Sequence, residues 1–246
     1  MRRLASWGGP RSIVIGLGIV GLAFLLRAWR IGELPPGLLS DEGYNLIDIL
    51  DMRDTGTYPL FFERNLGREP LFIYLQALSV AMFGPTPFAA RIVSVFLGTL
   101  TVALLHRFAR NVFGADSWIP AASSLVLAAT LYHTILSRVG LRSISLPPLT
   151  IAALLALWAA YQAGKPRFFL AAGAGFALTF YSYIAARSLP LIPVGLLALS
   201  GLRGWPQPER LPLKVSLASV TFLVLLVPLG FVAWRSPNIF WERSGT

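Results

Sequence analysis

The sequence predicts an all-α polytopic membrane protein, with about seven transmembrane helices and amphipathic juxtamembrane helices in the first outer loop. Composition gives the first reason. Hydrophobic residues form 55% of the chain and charged residues 13%. A soluble domain lies nearer a quarter charged, and none of this length could bury so much apolar surface. Patterning gives the second. The apolar residues recur as Ser12–Trp29, Phe88–Leu105, Trp118–Leu136, Ile144–Tyr161, Phe168–Ala186, Leu189–Gly201 and Val215–Trp234. A helix needs about 20 such residues to cross roughly 30 Å of hydrocarbon, with about 17 as the lower limit. Within lipid each segment must also satisfy its own backbone hydrogen bonds.

The first run follows Met1-Arg2-Arg3 and mimics a signal peptide, but it is too long and no small-residue cleavage site follows it. It reads as a signal anchor. Arg2, Arg3 and Arg11 place the N-terminus in the cytoplasm, so residues 30–87 form an outer loop. Within that loop Pro70–Phe83 is an uncharged run of 14 residues. It would reach only about 20 Å as a helix, and Gly84-Pro85-Thr86-Pro87 breaks it at once. It is expected to lie in or dip into the outer interface. Residues 88–234 form the remaining bundle, in which Leu189–Gly201 is short and holds Pro190 and Pro193. Trp118, Trp158, Trp234 and Trp241 are expected in interface belts.

The formal charge is +10. In a soluble protein that would suggest nucleic acid; here it fits loops facing cytoplasm and anionic lipid, and no nucleic-acid partner is expected. The cytoplasmic side would hold Arg107, Arg110, Lys165, Arg167, Arg203, Arg210 and Lys214 besides the N-terminal arginines, against Asp116 and Glu209. Cysteine is absent, which excludes disulfides and Cys-ligated zinc.

The outer loop carries the chemistry. Eight of the eleven acidic residues lie between residues 30 and 88: Glu33, Asp41, Glu42, Asp48, Asp51, Asp54, Glu63 and Glu69. Asp41–Asp54 reads as an amphipathic surface helix. Asp41, Asn45, Asp48 and Asp51 recur at helical spacing as one polar stripe, with Leu46, Ile47, Ile49 and Leu50 available to the lipid boundary. Leu34-Pro35-Pro36-Gly37 precedes it as a turn, and Ser40 is placed to cap it. Asp41 and Glu42 then stand in the first turn. From the residues alone, they either complement the helix dipole, worth under about 1 kcal/mol each, or carry a reaction.

Asp41-Glu42, the following Tyr44, the stretch Gly67-Arg68-Glu69-Pro70-Leu71 with aromatics after it, and Arg91 at a helix start resemble the glycosyltransferases related to protein O-mannosyltransferases and bacterial lipid A aminoarabinose transferases. These are polyprenyl-phosphate-sugar-dependent enzymes of the C-type membrane fold. Ser137-Arg138-Val139-Gly140-Leu141-Arg142 adds to the likeness, which runs from about Leu22 to the C-terminus. It implies transfer of a sugar from a polyprenyl phosphate to an acceptor glycan, lipid or protein on the outer face of the cell (inner) membrane, with inversion. The family's general base maps onto Asp41, with Glu42 orienting substrate or supporting it. A phosphate leaving group needs cationic donors, and arginine suits it bidentately. Arg68, Arg138, Arg142 and Arg187 are the outer-side candidates, with Arg68 and Arg138 foremost and Tyr44 and Glu69 beside them.

Each assignment has a plainer counterpart. An arginine at a helix end more often snorkels to headgroups, most of all Arg187. Some branches of the family ligate a metal through the residue matching Glu69, which would need a histidine partner. His106 falls on the cytoplasmic side and His133 suits a bundle histidine, so no metal or cofactor is expected; Glu69 marks where a divalent ion would bind. Family members usually carry more helices, so residues 1–246 are expected to be a single transmembrane domain from the N-terminal part of a larger protein. The competing class is a non-catalytic helical subunit of a membrane complex. A transporter is disfavoured, because apart from Arg27, Arg91 and the two histidines the spans lack ionisable residues.

Overall fold

The computed structural model describes residues 10–205 and 207–242; Arg2 and Arg3 lie outside them, as does the Trp241 side chain. The helices are α1 (Pro10–Ala28), α2 (Ser40–Thr55), α3 (Leu71–Phe83), α4 (Pro87–Phe113), α5 (Ile119–Ala129), α6 (Leu131–Leu136), α7 (Leu146–Ala163), α8 (Pro166–Phe180), α9 (Leu191–Leu202), α10 (Leu211–Arg235) and α11 (Pro237–Glu242). Short 3-10 turns at Arg142–Ser145 and Ile184–Ser188 lead into α7 and α9.

Among the described residues, five helical segments are long and apolar enough to cross a membrane: Arg11–Ala28, Pro87–Phe113, Arg142–Ala163, Ile184–Leu202 and Leu211–Arg235. Two expected runs differ. Phe168–Ala186 yields the 15-residue α8 followed by a turn. Trp118–Leu136 is split at Thr130, which is extended. The break has a physical cause in Arg27, which is wholly buried. A desolvated guanidinium needs acceptors. It donates to the carbonyls of Ala23 at 2.9 Å and Ala128 at 3.2 Å, to Ser137 Oγ at 3.2 Å, and to His133 Nδ1 at 2.8 Å. A continuous α5–α6 helix would keep the Ala128 carbonyl for itself; the break frees it for Arg27 and for the Thr134 hydroxyl at 3.3 Å.

The 27-residue α4 is the central post, packed by α1, α3, α5 and α7. It can do so because its inner face is small: Ala89, Ala90, Ser94, Gly98, Thr101 and Val102 are buried. A second layer stacks α7, α8 and α10. Gly173 permits the α8–α10 contact, since a Cβ there would fall 2.2 Å from the Ala218 carbonyl oxygen. The outer faces stay apolar, as with Leu213, Val220, Leu223 and Val227 of α10, which suits lipid. Trp118 and Trp234 are exposed, as a belt requires, while Trp158 is half-buried.

Both ends of α3 are held at the same end of the bundle. Its Leu71 N–H donates to the Tyr181 carbonyl at 3.0 Å. Its Gln76 amide reaches the Ala90 carbonyl of α4 at 2.6 Å. After Gly84, Thr86 caps α4 by accepting the Ala89 N–H at 3.2 Å. At 13 residues, or about 20 Å, α3 packs against α2 and α4.

Candidate active site in the carboxylate loop

The second acid of the Asp41-Glu42 pair organises the face. Ser40 is not the helix cap expected of it: it is the first residue of α2, Leu39 precedes it without a side-chain cap, and Glu42 Oε2 accepts the Leu39 N–H at 2.8 Å instead. Glu42 is wholly buried and accepts three further bonds: Arg91 Nε at 2.8 Å, Arg91 Nη2 at 3.0 Å and the Gly140 N–H at 2.7 Å. Burial alone would raise its pKa, but the Arg91 guanidinium and the two backbone N–H groups outweigh that and hold the carboxyl below its ordinary value. Arg91 also bonds the carbonyls of Pro35 at 2.8 Å and of Gly37, so the Leu34–Gly37 turn closes over it. Gly140 is required where these elements meet. A Cβ there would fall 2.7 Å from the Ala90 carbonyl oxygen and 2.8 Å from Gln76 Nε2.

The middle of the polar stripe of α2 faces inward, against the surface orientation expected for it, while Asp41 is partly exposed and Asp51 exposed. Asn45 and Asp48 are buried, as are Leu46 and Ile49, while Ile47 is exposed. The cause is Arg68. The connection from Gly56 folds back over α2 through an antiparallel bridge between Phe62 and Arg68. Asn65, Leu66 and Gly67 take positive φ to make the turn. Arg68 then lies wholly buried, donating to Asn45 Oδ1 at 2.6 Å, the Arg64 carbonyl at 3.0 Å and Asp48 Oδ2. Arg64 bridges Asp48 at 2.5 Å and Asp51 at 2.6 Å. Arg68, expected as a leading phosphate ligand, is buried here as the counter-ion of Asp48. Removing one partner of such a buried pair typically costs about 3–5 kcal/mol.

Asp41 stands apart from these ion pairs. It is partly exposed, and its Oδ1 accepts from the Asn65 amide at 2.6 Å. Tyr44, one turn along, is 40% exposed, with its ring centroid 5.9 Å from the Arg68 guanidinium carbon. Glu69 is buried on Arg142, whose Nη1 donates to Oε2 at 2.6 Å. Arg187, half-buried, lies within electrostatic reach of Glu69 and donates to the Phe240 carbonyl at 3.3 Å, 4.6 Å from that ring. Arg142 therefore pairs with Glu69, and Arg187 lies close by. Arg138 has another task. Its Nη1 and Nη2 bond the carbonyls of Leu26, Arg27, Trp29 and Leu34 at 2.7–3.2 Å, which ties down the end of α1. Among the described residues no three histidine or acidic side chains converge to hold a metal. Glu69, the expected position for a divalent ion, is paired with Arg142.

Arg91 and Gly140 escaped selection as functional residues. Arg91 left a signal, because an arginine inside an apolar run needs a buried partner. Gly140 left a weaker one, a glycine between two arginines at a helix end.

The fold agrees with comparison to known proteins. Residues 68–234, more than half of the chain, match the model of the dolichyl-phosphate-mannose-protein mannosyltransferase family. The chain belongs to that family. The mannosyltransferase match starts at Arg68, so Asp41 and Glu42 lie before it. No curated protein matches the chain. Among solved structures, ArnT from Cupriavidus metallidurans bound to undecaprenyl phosphate is similar with a TM-score of 0.67 at 19% identity, over 94% of this chain and 43% of that one. The apo form of the same protein gives 0.65 at 19% identity, over 93% and 42%. The likeness shows a shared fold, and this mannosyltransferase-family chain spans less than half the length of the structures it matches.

Proposed function

We propose that this chain carries the acceptor-activating face of a glycosyltransferase that moves a sugar from a polyprenyl-phosphate donor to an acceptor hydroxyl at the outer face of the cell membrane, with its N-terminus in the cytoplasm. The observation that supports this best is the contrast among the acids of the site. Glu42, Asp48 and Glu69 are buried and neutralised by arginine, whereas Asp41 is partly exposed and held by an amide. A general base must be reachable and not committed to a cation. Asp41 meets those conditions, with Asn65 fixing its orientation.

In the proposed reaction the acceptor hydroxyl gives its proton to Asp41 as its oxygen bonds to the anomeric carbon from the face opposite the phosphate. The bond from that carbon to the phosphate oxygen breaks, and polyprenyl phosphate leaves with the electron pair, inverting the centre. Arg142 and Arg187, the guanidiniums at the Glu69 end of the face, stabilise the leaving phosphate. Glu42 acts through structure, pinning the first turn of α2 to α4 and Gly140.

The test compares Asp41→Asn with Asn65→Ala in membranes supplied with a polyprenyl-phosphate sugar. Asp41→Asn should lower kcat by about 10²–10⁴ with donor KM nearly unchanged. Asn65→Ala should cost less, because the carboxylate remains. Full transfer by Asp41→Asn would remove this assignment.

A further inference from the structure

The end of the bundle opposite the carboxylate face holds a cleft and a charge cluster that the transfer reaction does not use. α7 starts beside Arg142 and runs 18 residues, so its far end lies about 27 Å away. There Phe108 of α4, Trp158 and Tyr161 of α7, Leu197 of α9, and Trp205 and Leu211 beyond α9 line an apolar cleft of about 330 Å³, within the roughly 300–1,000 Å³ of ligand-sized pockets. The outer wall is α9, which buries only Ser200 among its own residues, while Leu191, Val194 and Leu202 are exposed. The cleft is therefore walled on this side by one thinly packed helix, next to where lipid lies.

The rim is basic. Lys165 stands between α7 and α8 and Arg167 in the first turn of α8, while Arg203 and Arg210 stand between α9 and α10 and Lys214 in the first turn of α10. The two connections touch: a Cβ on Gly164 would lie 3.6 Å from Pro208 Cβ and 3.8 Å from Lys214 Nζ. Glu209 is the acid among them, and Lys214 donates to its backbone carbonyl. α8 and α10 also begin here, so the positive ends of two helices face the same surface. Trp205 and Leu211 belong both to the cleft and to the basic connection, which joins the apolar site to the charged one.

We propose that this end of the bundle binds an anionic phospholipid of the leaflet facing away from the carboxylate site, with one acyl chain in the cleft and its phosphate on the Lys165, Arg203 and Arg210 side chains. The charge pattern selects this occupant. A zwitterionic lipid would find Glu209 as the one acid within these two connections for its cation, a soluble anion would leave the cleft empty, and an uncharged apolar ligand would leave the cationic rim unmatched. Each basic side chain near an anionic headgroup contributes about fivefold in affinity.

The experiment uses the full chain in phosphatidylcholine nanodiscs containing a small, rising fraction of phosphatidylglycerol brominated on one acyl chain, with brominated phosphatidylcholine as the comparison. Bromine quenches tryptophan on contact. Quenching should reach its midpoint at a mole fraction at least tenfold lower for phosphatidylglycerol. Lys165→Gln/Arg203→Gln/Arg210→Gln should erase that preference, and Trp158→Phe/Trp205→Phe should remove the quenched signal while native mass spectrometry still finds the bound lipid. Equal midpoints for the two lipids, an unchanged preference in the triple variant, or loss of the preference in millimolar inorganic phosphate at fixed ionic strength would each overturn the proposal.

Discussion

Replacing Glu42 by Gln isolates the structural half of the acidic pair. Its two carboxylate oxygens accept four bonds, two from Arg91 and one each from the Leu39 and Gly140 backbone. A glutamine keeps one oxygen for two of these donors and turns an NH₂ group toward the other two. The wholly buried Glu42 and the nearly buried Arg91 would become an uncompensated cation facing a donor. Loss of one partner from a buried pair costs about 3–5 kcal/mol. For a chain of this size that lowers the unfolding temperature by about 6–20 °C. The assay is thermal unfolding in detergent, followed by circular dichroism at one fixed scan rate, since membrane proteins often unfold irreversibly. Asp41→Asn is the control and should shift the transition by no more than about 2 °C, because a partly exposed group bonded to one amide is at stake. Glu42→Gln/Arg91→Met, which removes both charges, should recover part of the loss. A Glu42→Gln transition within about 2 °C of wild type would refute the view that this carboxylate holds the face together.

The same pair sets an acid limit. Glu42 titrates below its ordinary value of about 4.5 when folded, so its contribution is fully present above that pH and is lost as pH falls through the lower folded value; stability should be flat from pH 7 to about 5 and drop below about pH 4.5, with a smaller drop in Glu42→Gln. Gly140→Ala should destabilise by about 1–3 kcal/mol, because the added methyl meets the Ala90 carbonyl oxygen, and a normal unfolding temperature would contradict the close packing described. Arg187→Gln should raise donor KM about tenfold or more through loss of about 1.5–3 kcal/mol of charged hydrogen bonding, with Lys restoring part of it; unchanged donor KM would remove Arg187 from the phosphate site. Because the chain has no native cysteine, single cysteines at Gly84 and Thr86 should react with an impermeant thiol reagent from the same side as one at Glu63, and labelling from opposite sides would mean that α3 crosses.

The spans and the acidic loop were legible because lipid imposes length and composition directly on the sequence. The short α3 was legible too, since the uncharged run of residues 70–83 is closed at once by Gly84-Pro85. The inward turn of α2 was not. The spacing of Asp41, Asn45, Asp48 and Asp51 fits a solvated stripe and a buried one equally well, and the choice depends on Arg68 arriving from 20 residues further along. The break at Thr130 was hidden likewise, because its cause is Arg27 on another helix claiming the Ala128 carbonyl. Asp41-Glu42 was legible as a pair, whereas the division of labour between them appears only once Arg91 and Asn65 are seen to take one acid each.

The central claim is that Asp41 activates an acceptor in a sugar transfer whose leaving group is a polyprenyl phosphate. It is tested most directly by following a donor labelled in both sugar and phosphate, in vesicles holding equal amounts of folded wild-type or Asp41→Asn protein. The account predicts that wild type passes the labelled sugar to acceptor with inverted configuration while releasing one polyprenyl phosphate per sugar transferred, and that Asp41→Asn slows both together by at least about 10². Equal rates for the two proteins would contradict it.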